Sequence, residues 1–560
     1  MINKYYKMCG IWALFEKNNM HKNYEQHLYS SFMNIKNRGP DRSVFNELSD
    51  PINIKLGFHR LSIMDISSKG DQPFKFDDGK RTVYLICNGE IYNYLELIEK
   101  YQLTPVSGSD CEVIILLYKK FKDINLICKE LTGEYAFIIC DIHNETGDYT
   151  TYLVNDRFGI RPMFVLEDEY NIMISSELKG FPLNFMNNYK VSRFVPRHYC
   201  TLIKNNNIIG ELQYSKYYDI DNIHQTVFDL EEAKKKVKTS FEKAVNSMIE
   251  SDREIGCLLS GGLDSSLVSS CASKILKQYG RKLRTFSIGL PGATDEKYAK
   301  MVAEYIGSEH IHIMVDELDF LDAVPKVISM IESYDITTVR ASTGQYLISK
   351  WISENTNIKV LFCGDGSDEL TAGYLYFHKA PNPQELDIEC KRLLNDIHLY
   401  DGLRADRCIA GHGIEARFPF LNHHFVETYL SVDSTLRMPT EGSEKWLLRK
   451  AFENSDYLPG EVLNRTKCAF SDSVSKIEKS WYQILQESVD RRYSDEFLKK
   501  AVEIFPHLTP YTKESFCIRE LFCKIFGFGD VNNILKYFWL PKWCGDALDP
   551  SARTLNIKVQ

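Results

Sequence analysis

Two stretches of this chain carry residue types whose order could do chemistry. Near the start stands Cys9, heading Cys9-Gly10-Ile11-Trp12. A thiol attacks an unactivated amide only when a base takes its proton. At a processed N-terminus the cysteine's own α-amino group could be that base, since its pKa lies near neutrality, at about 7.7–8. Far downstream, Ser260-Gly261-Gly262-Leu263-Asp264-Ser265-Ser266 follows the apolar run Ile255-Gly256-Cys257-Leu258-Leu259 and precedes a small-residue helix. Its glycines let the backbone approach phosphate oxygens, and a helix N-terminus attracts negative charge. The lysine of a Walker loop is missing.

Each residue alone has a plainer reading. A cysteine heading Cys-Gly-Ile-Trp-Ala-Leu-Phe is most often the start of a buried strand. The company it keeps argues otherwise. Asn88-Gly89-Glu90 follows a strand-like run and is expected at a turn near a sheet edge, where a side-chain amide and a glycine N–H can form an oxyanion hole. Arg60 could hold a substrate carboxylate by a bidentate contact. Asp110 could hold a substrate ammonium, or cap the helix that follows it. Arg38-Gly39-Pro40-Asp41 is turn chemistry first. A second acidic loop, Gly364-Asp365-Gly366-Ser367-Asp368-Glu369-Leu370, follows its own strand. Loops at the carboxyl ends of parallel strands converge on one crevice, so Asp264 and Asp368 could share Mg²⁺ bridging phosphates. Lys467, Arg404 and Arg417 are candidates for stabilising charge on an α-phosphate. The 260–266 stretch, lacking the Walker lysine, resembles instead the pyrophosphatase-type loop of enzymes that make adenylates and release pyrophosphate. Thiol and loop together suggest ammonia release at one site and ATP use at another.

The elements that must position these residues change character along the chain. The first two hundred residues carry short strand-like runs (81–87, 135–140, 151–154) with a few helical stretches, such as 110–121, which reads as an α+β sheet domain. An Asn-rich stretch at 204–207 and a linker at 219–226 follow. From Leu230 strands alternate with helices: a helix at 231–249, then strands at 255–259, 283–288 and 358–363. That order implies a parallel, doubly wound α/β sheet. After Lys445 the chain reads mostly helical. The expected division is residues 9–212 and 228–546. At 560 residues, one hydrophobic core is too few. The apolar fraction of 44% and charged fraction of 26% are ordinary for a globular protein. A net charge of −8 argues against general nucleic-acid binding. There is no apolar run long enough for a membrane span and no signal peptide. The 15 cysteines lack CxxC pairs and zinc spacing, so a reduced, cytoplasmic protein is expected.

Over residues 9–200 the constellation of Cys9, Arg60, Asn88-Gly89-Glu90 and Asp110 resembles the class II, N-terminal-nucleophile glutamine amidotransferase domain. The resemblance implies an αββα sandwich, Cys9 as nucleophile on glutamine's side-chain amide, and Asn88 and Gly89 as the oxyanion hole. It also implies Arg60, Glu90 and Asp110 as glutamine anchors, with Leu61, Ser62, Ile63 and Met64 lining the same pocket. In this sequence residues 1–7 precede Met8-Cys9, which locks the Cys9 α-amine in a peptide bond. The expected resolution is initiation at Met8; otherwise a peptide is removed or the glutaminase is silent.

The match widens with Asp335-Ile336-Thr337-Thr338-Val339-Arg340-Ala341-Ser342, Leu403-Arg404-Ala405-Asp406-Arg407 and Asp549-Pro550-Ser551-Ala552-Arg553. These resemble glutamine-hydrolysing asparagine synthetases, the animal type nearest, over nearly the whole chain and in the same domain order. What that implies is a Rossmann-like pyrophosphatase-loop ATPase domain with a helical C-terminal region behind the sandwich. Aspartate and ATP would give β-aspartyl-AMP and pyrophosphate, and ammonia passed through an internal tunnel would give asparagine and AMP. Leu259, Ser260, Gly261, Gly262, Asp264, Ser265, Ser266, Ile288, Cys363 and Gly364 would serve the nucleotide, Asp365 and Lys467 the catalysis, and Asp264 and Asp368 the Mg²⁺. The implied partners are glutamine, aspartate and ATP, with a homodimer as the family's common assembly.

Four positions depart from the family pattern. Cys363 replaces a serine, Asp365 a glutamate, Asn422 an aspartate and Cys468 a glutamate. Three other readings compete: an ammonia-dependent synthetase with a silent glutaminase, an amide ligase of the β-lactam synthetase kind, and a pseudoenzyme scaffold. Relatives of the second kind lack the nucleophilic cysteine. The third would show broken phosphate-loop residues, and Ser260–Ser266 and Asp368 are intact.

Overall fold

The computed structural model describes residues 9–17, 24–466, 474–475, 479–545, 549 and 551. Two antiparallel sheets face each other in the first part. One orders its strands Lys190–Arg193, Phe164–Glu167, Asn171–Ser175, Gly10–Glu16, Ile54–Arg60, Arg42–Leu48. The other runs Ile208–Ile209, His198–Asn205, Tyr149–Asn155, Gly133–His143, Arg81–Ile91, Phe74–Asp77, with Gln213–Lys216 also paired to His198–Asn205.

Strand alternation explains the layering. Ile11, Ala13 and Phe15 point inward with Leu56 and Phe58, and meet Ile86, Ala136 and Ile138 of the facing sheet. Trp12 and Leu14 point the other way, onto Phe32 of helix Leu28–Asn34. Leu85, Cys87 and Phe137 point outward onto helices Tyr94–Tyr101, Glu112–Phe121 and Ile124–Glu130. Helix, sheet, sheet, helix is the αββα order.

The second part is built on a five-stranded parallel sheet, ordered Glu309–Met314, Arg284–Gly289, Glu254–Leu258, Ile358–Phe362, Glu415–Arg417. Helix Leu230–Ser247 begins at Asp229, whose side chain accepts from Glu232 N, and buries Val237, Phe241 and Val245. The remainder is helical, including Trp481–Asp490, Asp495–Ile504 and Lys513–Phe526. Helix Ile336–Asn355 is the longest element of this part and buries its residues on nearly every face. Between the two parts, Thr226 and Val227 donate to the Ser431 carbonyl at 2.7 and 3.0 Å, so the connecting segment is fastened to the second part.

One expectation is corrected. Asn88 and Gly89 do not sit in a turn. Strand Arg81–Ile91 runs through them, and Gly89 registers against Tyr135. The neighbouring strand Phe74–Asp77 covers only Thr82–Leu85, which leaves the Asn88 end of the strand at the sheet's edge.

Candidate functional site

The first constellation gathers at the end of the sandwich that faces the parallel sheet. Leu61 N donates to Cys9 Sγ at 3.3 Å, and the Cys9 thiol lies 3.5 Å from the Leu61 carbonyl. Burial pushes that thiol up to about 12, against the Leu61 backbone and the Arg60 charge, so the cysteine needs a base to become a nucleophile. Arg38 Nε donates to the Cys9 carbonyl at 2.9 Å and fixes the strand's start.

Asn88 is fully buried, and neither polar atom of its carboxamide has a hydrogen-bond partner among the described residues. Buried amides are ordinarily satisfied, so an unsatisfied one suits a group that hydrogen-bonds a reacting oxygen. Gly89 beside it has φ +152°, and a Cβ there would meet the Glu134 carbonyl at 2.1 Å; only glycine fits.

Of the two readings of Asp110, the structure removes the helix cap. Asp110 does not cap helix Glu112–Phe121; its carboxylate accepts from Ile91 N at 2.6 Å. Burial pushes Asp110 up to about 6, and burial with Asp110 and Glu415 nearby holds Glu90 well above the carboxylate range. Three carboxyls crowd here against one guanidinium: Arg417 lies 3.8 Å from Glu90 and 2.8 Å from Glu415. A substrate ammonium would relieve that surplus of negative charge.

Arg60 is more engaged than its sequence suggests. Its guanidinium donates to Asp71 and to the Ser67 carbonyl, both at 2.6 Å, and to the Asp65 carbonyl. It therefore shapes loop 65–71, and a substrate carboxylate would share it with Asp71. The neighbouring segment is held from both sides. Ser62 N donates to Asp41, Arg253 donates to the Ser62 carbonyl at 2.7 Å and Asp252 N to the Ile63 carbonyl. Leu61, Ile63 and Met64 pack against the second part's core.

The second constellation lines one pocket at the carboxyl ends of the parallel strands. Leu259, Ser260, Gly262, Asp264, Ser265, Ile288, Gly364, Asp365 and Asp368 all face it. Gly261, Ser266 and Cys363 do not line it. Gly261 has φ +75°, and a Cβ would strike the backbone of Tyr298 and Ala299 at 2.5 Å; it shapes the turn. Ser266 and Cys363 are fully buried, the Cys363 thiol set 3.7 Å from the Leu361 carbonyl. Ser260 N donates to Ser265 Oγ at 3.1 Å, which closes the loop over the N-terminus of helix Leu263–Gln278. Gly364 allows the two loops to touch: a Cβ there would meet Ser265 N at 2.8 Å.

Charge is distributed with purpose around this pocket. Arg404 lies 2.9 Å from Asp365 and 2.5 Å from Asp401. Burial raises Asp365, and Arg404 opposes that rise. The residue that sequence reasoning missed is Lys445. Its Nζ lies 2.5 Å from Asp264 and 2.6 Å from Asp368, bridging the two carboxylates expected to share a metal. It stands in a left-handed turn just before helix Trp446–Phe452, and no motif marks it. Arg449 and Arg465 also line the pocket. Arg417 is placed elsewhere, at the Glu90 cluster. Lys467 and Cys468 lie outside the described residues, as do Met8 and residues 1–7.

Comparison with known proteins covers both halves. The asparagine synthase family model matches residues 236–388 and 380–522, and the glutamine amidotransferase domain model residues 8–235. The glutamine-hydrolysing asparagine synthetase of Gallus gallus is 42% identical over 570 residues, covering 98% of this chain and 99% of that protein. Those of Mus musculus and Homo sapiens are 42% and 41% identical over 574 residues, with the same coverage. The chain belongs to the family of glutamine-hydrolysing asparagine synthetases.

Proposed function

We infer that this chain makes asparagine from aspartate, with glutamine as nitrogen donor and ATP as activating substrate. The observation that carries the reading is the convergence of two glycine loops, 260–266 and 364–370, on one pocket lined by acidic and basic side chains, in a chain whose first half carries the glutamine amidotransferase constellation.

At the first site, the Cys9 thiolate attacks the carboxamide carbon of glutamine, with the Cys9 α-amine as base once Met8 has been removed. Asn88 and the Gly89 N–H take the developing oxyanion. Glu90 and Asp110 hold the substrate ammonium, and Arg60 its carboxylate. Ammonia leaves, and water releases glutamate from the thioester. At the second site, a β-carboxylate oxygen of aspartate attacks the α-phosphorus of ATP and pyrophosphate departs. Ammonia then attacks the acyl carbon and AMP leaves, with a proton passing to a basic group; Asp365 would serve aspartate binding or this proton transfer.

The donor set at Asp264 and Asp368 fits Mg²⁺: both are hard oxygen ligands, and a single ammonium already bridges them. The ion would neutralise phosphate charge, while Lys445, Arg404 and Lys467 would act on the phosphates directly. We place the division between the units at residues 9–212 and 228–546, the enzyme in the cytoplasm and its assembly as a homodimer. No helix among the described residues is long and apolar enough to cross a membrane.

The second reading, an ammonia-dependent synthetase, follows only if Cys9 keeps its preceding peptide. Intact mass of the protein from its native source, paired with a glutaminase assay, decides. A mass beginning at Cys9 with glutamate release supports the coupled reaction. A mass retaining residues 1–8, with activity on free ammonia alone, leaves only the synthetase.

A further inference from the structure

Helix His423–Leu430 lies along the seam between the two units and starts at Asn422, whose side chain accepts from His424 N at 3.1 Å. His423, His424 and Glu427 fall on its first turns, where positions three and four apart are neighbours. One ligand atom from each lies within 4.8 Å of the others, and the two imidazole rings are 3.9 Å apart between centroids. His423 is 8% exposed, so one side of the cluster is packed. His424 faces a cleft of about 1010 Å³ that Thr132, Asn422 and Lys243 also line.

We propose that His423, His424 and Glu427 bind one divalent transition metal of the Zn²⁺ class at the seam between the two units. Two imidazoles of borderline softness with one carboxylate form a three-ligand set that suits zinc or cobalt, and the imidazoles disfavour Mg²⁺. The cleft beside His424 would supply water for a remaining coordination position. The imidazoles separate the site from the oxygen-only pair at Asp264 and Asp368.

The surroundings are defined. Thr132 Oγ1 of the first unit lies 3.5 Å from His424 Nε2, and Ser240 Oγ donates to the His424 carbonyl at 3.5 Å. Glu427 stands near enough to the Tyr218 phenol to raise it, after burial. The opposing charge is Arg157, held by the Leu131 and Lys129 carbonyls at 2.7 and 3.1 Å and stacked 5.2 Å from the Tyr218 ring. Occupancy would therefore stiffen a helix start that faces the first sheet, the connecting segment and helix Leu230–Ser247 together.

The test is a Co²⁺ titration of the full chain in non-thiol reductant, followed by Zn²⁺ displacement. One equivalent should bind with visible d–d absorption and without the thiolate-to-cobalt charge-transfer band, which excludes the cysteines as ligands. His424→Ala and Glu427→Gln should each weaken binding roughly tenfold or more, the size seen when even a ligand's supporting partner is lost. Zn²⁺ should raise the unfolding temperature of the parent and not of the variants. Absence of binding, a thiolate band, or equal affinity in parent and variants would overturn the proposal.

Discussion

Asp110 shows how much of a residue's role depends on what the fold packs around it. Its sequence context suggested an anchor or a helix cap; the cap is ruled out, because its carboxylate accepts from Ile91 N and sits beside Glu90. Burial raises it to about 6. A carboxylate is needed to hold an ammonium, so kcat/KM for glutamine, already falling as the Cys9 α-amine protonates, should fall by roughly a further tenfold per pH unit below that value. Asp110→Asn should depress kcat/KM throughout and remove this second, steeper limb. A parent profile that shows no steepening below Asp110's value would sink the assignment. Lys445 is the converse case. Nothing in Glu444-Lys445-Trp446 marks it as chemical, because its role comes from a turn that aims its ammonium between carboxylates from two distant loops. Lys445→Met should lower ammonia-dependent pyrophosphate release by about 10²–10³ in kcat while glutamine hydrolysis persists. The intact glutaminase serves as the control for folding.

At the scale of elements, the strand–loop–helix around Ser260–Ser266 was legible because glycine, serine and aspartate stand between an apolar run and a helix. The structure adds why Gly364 is there. The second loop crosses so near the first that a Cβ would press on Ser265 N at 2.8 Å and on the Asp264 backbone at 3.0 Å. Gly364→Ala should separate the loops and remove the ATP-dependent rise in unfolding temperature, which a thermal-shift titration reads directly. An unchanged ATP shift would mean the loops are more yielding than this contact implies. The strand at Asn88 was less legible. Polar Asn88-Gly89-Glu90 imitates a turn, but the residues pair across to Glu134–Ala136 and Asn88 and Glu90 are buried, so tertiary packing overrides local composition.

The whole molecule is held together by buried ions that no local pattern announces. Arg38 and Arg161 of the first unit both donate to Asp406 of the second, at 2.9–3.2 Å in their closer contacts, and Arg161 also pairs with Glu134 at 2.8 Å. Arg407 reaches back to Glu177 at 2.9 Å and to Glu332 at 3.0 Å. The contacts that cross between the units, to Asp406 and to Glu177, join residues hundreds of positions apart, so the sequence pointed to two units and their order but not to the seam between them. Breaking a buried pair from one side costs about 3–5 kcal/mol. Asp406→Ala should lower stability by that amount in denaturant unfolding, and should raise the yield of glutamate over asparagine if the seam couples the sites. Equal stability would show that water replaces the lost carboxylate. The central claim is that the nitrogen released at Cys9 reaches the adenylate in the same chain. The direct measurement uses protein beginning at Cys9, amide-¹⁵N glutamine, aspartate, ATP and Mg²⁺, in a bath of unlabelled ammonium. The account predicts asparagine carrying the ¹⁵N label beyond what mixing with the bath allows, with one glutamate and one pyrophosphate formed per asparagine. Asparagine labelled only to the level of the bath, or glutamate formed without asparagine, would contradict it.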